Sequence, residues 1–439
     1  MLPLTINQAL VNLNIEKLNE MQESAIQHIG IDREVVLLSP TGSGKTLAFL
    51  LPLLKLLDPK VEGVQTLILT PSRELALQIE SVFKAMNTGL KVNCCYGGHS
   101  MKIEKNNLST PPSVLVGTPG RIVDHLKNER FKTTTIQTVI LDEFDKSLEF
   151  GFQEDMEHII QELNYVKYRI LVSATSPDEI PEFTQIQNPK TLNFLVDEVP
   201  EAMTIKGVRA NEGEEKIDAL INLLSKIGNE STIVFCNHRD AVDRISKLLK
   251  DSKVNHGVFH GGMKQEHRER ELIKFRNGTI RILLATDLAA RGLDIPEVKS
   301  VVHYQIPPKE DAYIHRNGRT ARMMATGEVY VLLGEKDFLP KYIVSDTPVE
   351  SVPPAKEMPA NPLWSTLYLD KGKKDKINKM DIVGLFFKKG KIQKDDLGLI
   401  VVQDYCAYIA VKSSVAHKMV KKLQEERVKN KKIKLSISH

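Results

Sequence analysis

The sequence predicts an α/β protein with two tandem domains, each built on a parallel sheet, followed by a small α+β domain. The chain of 439 residues is longer than one hydrophobic core usually organises. Short apolar runs alternate with helical stretches, and this series occurs twice. After a proline-rich segment the chain becomes strongly basic. We therefore expect domains at 1–200 and 201–345, a linker at 346–362 and a final domain at 363–439.

The composition favours a cytoplasmic protein. A hydrophobic content of 41% and a charged content of 26% are typical of globular chains. No apolar run approaches the ~18 residues that a membrane span needs. The first residues lack the basic start and the cleavage site of a signal peptide. The four cysteines show no metal-ligand spacing, so we expect buried or idle thiols in a reducing compartment.

Five apolar runs of the first domain predict the strands of a parallel sheet. Their continuous apolar character is typical of strands that are buried on both faces. Polar residues end each run, and the carboxyl ends of parallel strands line the ligand crevice of such sheets. The runs are EVVLLSP (34–40), TLILTP (66–71), SVLVGTP (113–119), TVILDE (138–143) and RILVSAT (169–175).

The second domain repeats the pattern between two segments that we interpret as connections. The short polar segment VDEVPEAMTIKG (196–207) predicts a linker between the first two domains. The segment SDTPVESVPPAKEMPANP (345–362) has five prolines and no periodicity, which predicts an extended tether. The strand candidates between these segments are STIVFCN (231–237), HGVFHGG (256–262), RILLATD (281–287), SVVHYQIP (300–307) and GEVYVLLG (327–334).

The segment SPTGSGKT (39–46) predicts a phosphate-binding loop. It follows a strand and precedes a helical stretch, so the helix N-terminus would face a bound anion. Gly42 and Gly44 allow successive N–H groups to point at a phosphate chain. Lys45 can reach the β- and γ-phosphates, and Thr46 can bind Mg²⁺. The alternative is a flexible Gly-Ser loop, which the strand–loop–helix context disfavours.

The segment TVILDEFDKS (138–147) places three carboxylates after a buried strand. Like charges this close repel one another, so a cation is expected opposite them. We expect Asp142 to hold a phosphate-bound Mg²⁺ and Glu143 to orient or deprotonate the water that attacks the γ-phosphate. The alternative is a solvated acidic turn.

The segment YIHRNGRTARM (313–323) carries Arg316, Arg319 and Arg322 at a spacing that predicts one side of a helix. Arginine over a γ-phosphate stabilises the transition state of phosphoryl transfer. The segment is therefore either an arginine finger, which would require closure of the two domains, or an ordinary basic surface.

Together these motifs resemble the DEAD-box ATP-dependent RNA helicases over residues 1–340. Gln22 falls where the adenine-reading glutamine of that family lies. The other motifs follow in the order of the family, which is a highly specific signal. They are SPTGSGKT, PSRELA (71–76), Gly97-Gly98, TPGR (118–121), DEFD (142–145), SAT (173–175), IVFCN (233–237), HGGMKQEHRE (260–269), ATDLAARGLD (285–294) and HRNGRTAR (315–322).

The resemblance implies two RecA-like domains that bind ATP, Mg²⁺ and RNA, with RNA contacts chiefly to the backbone. The residues that would bind ATP are Gln22, Thr41, Gly42, Ser43, Gly44, Lys45, Thr46 and Asp294. The residues that would act in catalysis are Lys45, Glu143, Arg319 and Arg322. The residues that would couple hydrolysis to RNA are Asp145, Ser173 and Thr175. The residues that would grip RNA are Arg73, Gly98, Thr118, Arg121, Gln265 and Thr286.

Three positions depart from the family pattern. Phe144 stands where the family has alanine, and we expect its ring to pack toward the sheet or the SAT turn. The segment LNEMQ (18–22) lacks the Pro-Thr that the family usually shows before the glutamine. Leu4, Thr5 and Ile6 occupy the region where the family carries an aromatic residue that stacks on adenine.

The last segment predicts an RNA-binding module. Residues 363–439 carry 18 Lys and Arg against 8 Asp and Glu, whereas the rest of the chain carries 42 against 48. Such an asymmetry favours a polyanion partner, the alternative being a solubilising basic face. The predicted element order βαββαβ is that of RRM domains. The stretches LYLDKGKKDKIN and SVAHKMVKKLQ resemble the C-terminal domain of DbpA-type helicases, which implies binding to structured large-subunit ribosomal RNA.

Lysines rather than aromatic rings are the expected RNA contacts of this module. Cys406 and Val411 stand where RRM domains stack bases on aromatic side chains. We expect backbone contacts from two groups of lysines. The groups are Lys371, Lys373, Lys374 and Lys376, and Lys418, Lys421 and Lys422.

The sequence thus favours a monomeric, cytoplasmic RNA-dependent ATPase that locally unwinds ribosomal RNA, with a pre-ribosomal particle as a candidate partner. An ATP-gated RNA clamp with little unwinding activity needs the same motifs and stays open. A catalytically silent RNA-binding protein is disfavoured by the intact Lys45, Asp142, Glu143 and Arg319.

Overall fold

The computed structural model describes residues 5–40, 42–149, 151–176, 179–195, 203–287, 298–320, 326–343, 346–357, 359 and 361–438. These residues form two compact units that divide between residues 195 and 203. Within the described ranges, no helix has both the length and the apolar character that crossing a bilayer requires.

The first unit is built on a seven-stranded sheet in which every pairing is parallel. The strands lie in the order β3-β4-β2-β5-β6-β1-β7. They are β1 (Glu34–Leu38), β2 (Thr66–Leu69), β3 (Val92–Cys95), β4 (Val114–Gly117), β5 (Thr138–Leu141), β6 (Tyr168–Ser173) and β7 (Lys190–Asn193).

Helices cover both faces of this sheet. Alternate residues of β1 enter different hydrophobic clusters, Val35 and Leu37 on one face and Val36 and Leu38 on the other. The helices are α1 (Ile6–Asn12), α2 (Glu20–His28), α3 (Lys45–Leu56), α4 (Arg73–Ala85), α5 (Met101–Leu108), α6 (Pro119–Lys127), α7 (Phe144–Glu149) and α8 (Gln153–Glu162). The predicted fold class is therefore confirmed for this unit.

The second unit contains another seven-stranded, all-parallel sheet, in the order β10-β11-β9-β12-β13-β8-β14. Its strands are β8 (Met203–Arg209), β9 (Thr232–Cys236), β10 (Gly257–Phe259), β11 (Ile282–Thr286), β12 (Ser300–His303), β13 (Gly327–Leu333) and β14 (Val349–Ser351). Its helices are α9 (Lys216–Ile227), α10 (Arg239–Asp251), α11 (Gln265–Arg276) and α12 (Glu310–Asn317).

Both predicted connections are wrong in part. Residues 203–207 of the predicted linker belong to β8, which pairs with β13 over seven residue pairs. The predicted tether contains β14, which pairs with β8, and Val352 behind it is 4% exposed in the core. The Lys226–Glu350 ion pair at 2.7 Å anchors the same segment. Proline is tolerated there because β14 is an edge strand.

The second unit also carries a four-stranded antiparallel sheet in the order β16-β17-β15-β20. The predicted βαββαβ order is confirmed, with a short hairpin added before the last strand. The elements are β15 (Trp364–Leu369), α13 (Lys379–Gly384), which continues as a π-helical turn (Leu385–Gly390), β16 (Leu397–Val402), β17 (Ala407–Lys412), α14 (Ser413–Leu423), β18 (Arg427–Val428), β19 (Lys431–Lys432) and β20 (Leu435–Ile437).

Candidate active site and RNA-binding surface

The strand order of the first sheet brings the predicted phosphate loop and the carboxylates to one edge. β6 lies between β1 and β5, with Leu38 beside Ser173 and Leu141 beside Leu171. All three strands are parallel, so their carboxyl ends meet at the same edge. The loop after β1, the SAT turn after β6 and the DEFD segment after β5 are therefore neighbours.

Two glycines of the phosphate loop adopt the left-handed backbone conformation that favours glycine. Gly42 and Gly44 have φ angles of +86° and +91°, and α3 begins directly after Gly44. The Lys45 ammonium donates to the carbonyl oxygens of Ser39 at 2.6 Å and Pro40 at 2.8 Å. This lysine is thus folded over the loop, where phosphate oxygens could replace the carbonyls as acceptors. Thr41 lies outside the described residues.

The segment predicted to read adenine is hydrogen-bonded to the same loop. Gln22 is 6% exposed, and its Nε2 lies 3.3 Å from the carbonyl oxygen of Gly44, to which it donates. The Asn19 side-chain amide donates to the carbonyl of Ser43 at 2.9 Å. A Cβ added at Gly44 would lie 2.5 Å from Gln22 Nε2. The loop and α2 are therefore fitted to each other.

The carboxylates at the end of β5 differ in their surroundings. Asp142 is 3% exposed and accepts a hydrogen bond from the backbone N–H of Glu143 at 2.9 Å. Burial and the neighbouring Glu143 carboxylate raise the pKa of Asp142 to about 7. Within the described chain, Glu143 Oε2 is buried without a hydrogen-bond partner. A buried carboxylate oxygen without a donor fits a site that takes up a cation or a water molecule.

The three predicted coupling residues are in contact. Thr175 donates its hydroxyl proton to Asp145 Oδ2 at 3.1 Å. Ser173 Oγ donates to the carbonyl of Thr175 at 2.6 Å and accepts from its N–H at 3.2 Å. A hydrogen-bonded path thus joins the DEFD helix α7 to the turn after β6.

Phe144 packs into the core beneath the acidic turn. Its side chain is fully buried in the cluster on one face of the sheet, with the Phe183 ring centroid at 6.3 Å. The expectation that the extra ring points toward the sheet is confirmed. The aromatic side chain therefore leaves Asp142 and Glu143 at the edge.

The predicted RNA contacts of the first unit lie in the other half of its sheet, at β3, β4 and β2. Arg73 opens α4 after β2, and its guanidinium lies against the Gly97-Gly98 pair after β3. A Cβ at Gly98, whose φ is +86°, would be 2.6 Å from Arg73 Nη1. Thr118, at the start of α6 after β4, donates its N–H to Cys95 O at 3.1 Å. The structure thus gathers these motifs side by side.

Arg121 is held by a buried carboxylate that sequence reasoning missed. Glu104 is fully buried in α5, and its Oε2 lies 3.6 Å from Arg121 Nη1 and 2.8 Å from His125 Nε2. Its Oε1 accepts from the Tyr96 N–H at 3.1 Å and lies 3.1 Å from His99 Nδ1. Glu104 thus ties the turn after β3 to helix α6. Its place in a polar helix gave no sequence signal.

Hydrogen bonding sets the ionisation of this cluster. Burial tends to raise the pKa of Glu104, but the bonds from His125 and Tyr96 and the charge of Arg121 hold it below its usual value. Cys95 lies within 4.8 Å of Glu104 and His125, and burial raises the pKa of its thiol. Cys94 and Cys236 are also buried and Cys406 is partly so, as expected for structural thiols.

The predicted RNA contacts of the second unit follow β10 and end β11. Gln265 begins α11, and its Nε2 donates to Glu269 Oε1 at 3.1 Å. Gln265 Oε1 is buried and, among the described residues, has no hydrogen-bond partner. Thr286 is the last residue of β11 and is 7% exposed.

The helix predicted for the three arginines is wrong, because α12 ends at Asn317. Arg316 is 1% exposed and its guanidinium donates to Asp287 at 2.5 and 2.9 Å and to Asn237 at 2.7 Å. It therefore joins the ends of β9 and β11 as a structural group. Arg319 follows the helix and is 3% exposed. The predicted Arg322 and Asp294 lie outside the described residues.

The C-terminal lysines divide into paired and unpaired groups. Lys373 and Lys374 are exposed in the loop after β15, and their backbone N–H groups donate to Gln403 O and Asp404 O at 2.9 and 2.8 Å. No ion pair in the described chain involves either ammonium group. Lys371 instead pairs with Asp370 at 3.1 Å. Of the second group, Lys418 and Lys421 are exposed on α14, whereas Lys422 donates to Gly390 O at 2.8 Å.

Comparison with known proteins identifies three matched families along the chain. The DEAD/DEAH box helicase family matches residues 19–183, the helicase conserved C-terminal domain 215–324, and the DbpA RNA binding domain 366–437. The ATP-dependent RNA helicase DbpA of Bacillus subtilis (strain 168) is 30% identical, over 98% of this chain and 97% of that relative. DeaD of Escherichia coli (strain K12) is 35% identical, over 72% of this chain and 51% of its own.

Solved structures show the same likeness. Dbp5 of S. cerevisiae, bound to RNA and ADP BeF3, superposes with a TM-score of 0.68 at 28% identity. The superposition covers 75% of this chain and 87% of that one. Mss116p, bound to ssRNA and AMP-PNP, gives a TM-score of 0.69 at 27% identity, over 80% of this chain and 77% of the other.

Proposed function

Since the chain belongs to the DEAD-box family of ATP-dependent RNA helicases, we propose that it locally unwinds structured ribosomal RNA during assembly of the large subunit. The end-to-end match to a DbpA helicase, with the DbpA RNA binding domain included, supports this substrate. We further propose that the protein acts as a cytoplasmic monomer on pre-ribosomal particles.

The observation that carries the enzymatic proposal is the meeting of Lys45, Asp142 and Glu143 at one sheet edge. Glu143 has a buried oxygen without a donor, as a group that orients an attacking water requires. The Lys45 ammonium donates to two carbonyl oxygens of the loop, which supports a role in holding phosphate oxygens when nucleotide binds. Thr46 and Asp142 would hold Mg²⁺, which neutralises charge on the phosphates.

The remaining site residues are assigned roles from the family motifs. Gln22 would read adenine, Asp294 the ribose, and Arg319 and Arg322 would stabilise negative charge in the transition state. RNA would meet both units through its phosphates and sugars, because the motifs concerned offer arginine, hydroxyl and backbone groups. The residues assigned to RNA are Arg73, Gly98, Thr118, Arg121, Gln265, Thr286, Lys371, Lys373 and Lys374.

A strand-displacement assay with Glu143→Gln tests this function. The variant keeps the shape of the side chain and loses the basic oxygen, so we expect ATP and RNA binding to persist. Hydrolysis should fall about 10²–10⁴-fold, the usual contribution of a general base. Release of a labelled strand from a short duplex, with ATP regenerated throughout, should disappear in parallel.

The exposed Glu154 of α8 offers a matched control, and Glu154→Gln should behave like the native protein. Turnover of Glu143→Gln near the native rate would refute the assigned role. A native protein that hydrolyses ATP with RNA but releases no strand would be a clamp instead. Stimulation by ribosomal fragments no greater than by transfer RNA, at one salt concentration, would refute the ribosomal substrate.

A further inference from the structure

The C-terminal sheet has one face without helices, and the part of that face around β15 and β17 is buried. Thr366, Tyr408 and Ala410 are 0%, 7% and 1% exposed. Side chains alternate along a strand, and their neighbours Leu367 and Ile409 enter the core shared with α13 and α14. Thr366, Tyr408 and Ala410 therefore point to the opposite face. RRM domains stack bases on this face.

The turn after α11 covers the buried part of this face at Thr366 and Trp364. Thr366 Oγ1 lies 2.7 Å from Thr279 Oγ1 and accepts from the Asn277 side-chain amide at 3.2 Å. Asn277 is itself 6% exposed. The indole of Trp364 lies against the same turn, since a Cβ added at Gly278 would be 3.5 Å from its Cδ1. The contact thus combines buried hydrogen bonds with an aromatic ring.

At the rim of this contact, Glu269 of α11 connects two residues with different roles. One carboxylate oxygen accepts from Gln403 Nε2 at 3.0 Å, and the other accepts from Gln265 Nε2 at 3.1 Å. Gln265 is a proposed RNA contact of the helicase core. Gln403 belongs to the turn whose carbonyls hold the Lys373–Lys374 loop.

The lysine loop fits closely onto that turn. A Cβ added at Gly372 would lie 2.2 Å from Gln403 O and 2.7 Å from Asp404 O. The loop therefore has a defined position relative to Glu269 and Gln265. Its unpaired ammonium groups lie outside the buried face, where phosphates can approach.

We propose that the C-terminal sheet face is a docking surface for α11 and its following turn, and that it stays docked when RNA binds. This inference rests on the proposed RNA-binding function. RNA then meets the C-terminal domain at the Lys373–Lys374 loop, in line with Gln265, and bases do not stack on the sheet. The Lys373–Lys374 loop and Gln265 thus form one RNA-binding track. Glu269 and Gln403 act as positioning residues for this track.

Trp364 is the single tryptophan of the chain, so its fluorescence reports the docked state directly. The probe is a hairpin RNA with a single-stranded extension, whose binding is followed by the anisotropy of a label on the RNA. At saturating RNA the Trp364 emission of the full chain should keep its position and intensity. A red shift or quenching on binding would mean that RNA releases or occupies the face, and would overturn the proposal.

Thr366→Lys supplies the undocked reference, because it places a charge at a fully buried contact. Its Trp364 emission should be red-shifted without RNA, and its affinity for the hairpin should fall. Ser436→Lys is the matched control, since Ser436 lies opposite Tyr368 on the same sheet but is exposed. It should retain the native emission. Native affinity of an undocked Thr366→Lys chain would also overturn the proposal.

Charge reversal by Lys373→Glu with Lys374→Glu tests the track itself. Hairpin affinity should fall about tenfold or more, and the salt dependence should decrease by about one for each lysine lost. The Trp364 emission should not change. Unaltered affinity would overturn the proposal that RNA contacts the Lys373–Lys374 loop. If RNA did not stimulate ATP hydrolysis by the native protein, the proposed function would be refuted instead.

Discussion

At the scale of single residues, two positions of the proposed nucleotide site have a left-handed backbone. Gly44 has a φ of +91° and Glu143 a φ of +47°. Glycine adopts such angles without steric cost, but a residue with a side chain loses about 1–2 kcal/mol. The strained conformation at Glu143 coincides with its unpartnered buried oxygen. Strain retained at such a position is typical of a functional group.

Gly44→Ala should weaken ATP binding without unfolding the first unit. The added Cβ would lie 2.5 Å from Gln22 Nε2 and would displace either the glutamine or the loop. Backbone strain adds about 1–2 kcal/mol. We expect at least a tenfold rise in the ATP dissociation constant, measured by calorimetry without RNA.

Gly213→Ala is the control for a left-handed glycine outside the phosphate loop. Gly213 has a φ of +70°, and no atom lies within 4 Å of an added Cβ. It therefore carries the backbone strain without the collision, and ATP affinity should stay native. Equal losses of ATP affinity in the two variants would show that the effect of Gly44→Ala does not arise at the phosphate loop.

Residue patterns predicted which motifs lie together better than they predicted local conformation. The motifs placed Lys45, Asp142 and Glu143 in one site because each motif follows a buried strand. The spacing of Arg316 and Arg319 predicted a shared helix face, yet α12 ends between them. Periodicity cannot show that Arg316 is engaged by Asp287 and Asn237, which lie far away in the chain.

At the scale of elements, the strands that the sequence missed are those at or near sheet edges. β3 and β7 are edge strands, and β14 is the edge beside β8. Edge strands need fewer apolar residues, so Lys190–Asn193 and Val349–Ser351 lack the continuous runs of the central strands. β8 is half-buried and polar, which made it resemble a linker.

Helix α5 illustrates a contact that only the folded chain reveals, and Glu104→Ala should disrupt it. The substitution leaves the fully buried His125 without its partner and releases Arg121 and the Tyr96 N–H. Loss of one partner in such a buried network costs about 3–5 kcal/mol. We expect a lower thermal midpoint of the first unit and weaker RNA binding, measured by calorimetry and anisotropy.

The control for this network is Glu80→Ala, which removes a partly exposed i,i+4 pair with Lys84 and should change stability by no more than about 0.5 kcal/mol. Glu104→Gln adds a pH test. The folded pKa of Glu104 is lowered, so its stabilisation is complete above the unfolded value of 4.5 and is lost as pH falls through the folded value. The native and glutamine proteins should therefore converge in stability in acid. A constant difference would contradict the ionised network.

At the scale of the whole molecule, sheet order separates the proposed nucleotide residues of the first unit from its proposed RNA residues. The nucleotide motifs follow β5, β6 and β1, and the RNA motifs follow β3, β4 and β2. β2 and β5 are hydrogen-bonded neighbours, so the two halves meet at the DEFD strand. In the sequence the RNA motifs stand between two groups of nucleotide motifs. The sequence cannot show that those two groups meet in one half of the sheet, because strand order depends on crossovers between distant segments.

The contact of the C-terminal sheet with α11 and its turn also belongs to the scale of the whole molecule. Truncation after residue 362 tests what this contact contributes. A freely tethered module could be removed without consequence for the core. Here truncation exposes the turn at Asn277 and Thr279 and removes hydrogen bonds worth about 1 kcal/mol each. It also leaves Glu269 without Gln403. We expect a lower thermal midpoint for the remaining second unit.

RNA-stimulated hydrolysis should persist in the truncated chain with an unstructured RNA, because the nucleotide motifs are intact. Half-maximal stimulation should need more RNA, since Gln265 is positioned through Glu269. The full chain with Lys373→Glu and Lys374→Glu is the matched comparison, because it loses loop charge but keeps the docked face. That chain should retain the native thermal midpoint. A truncated chain with native stability would show that the contact of the sheet with α11 and its turn contributes nothing to the fold.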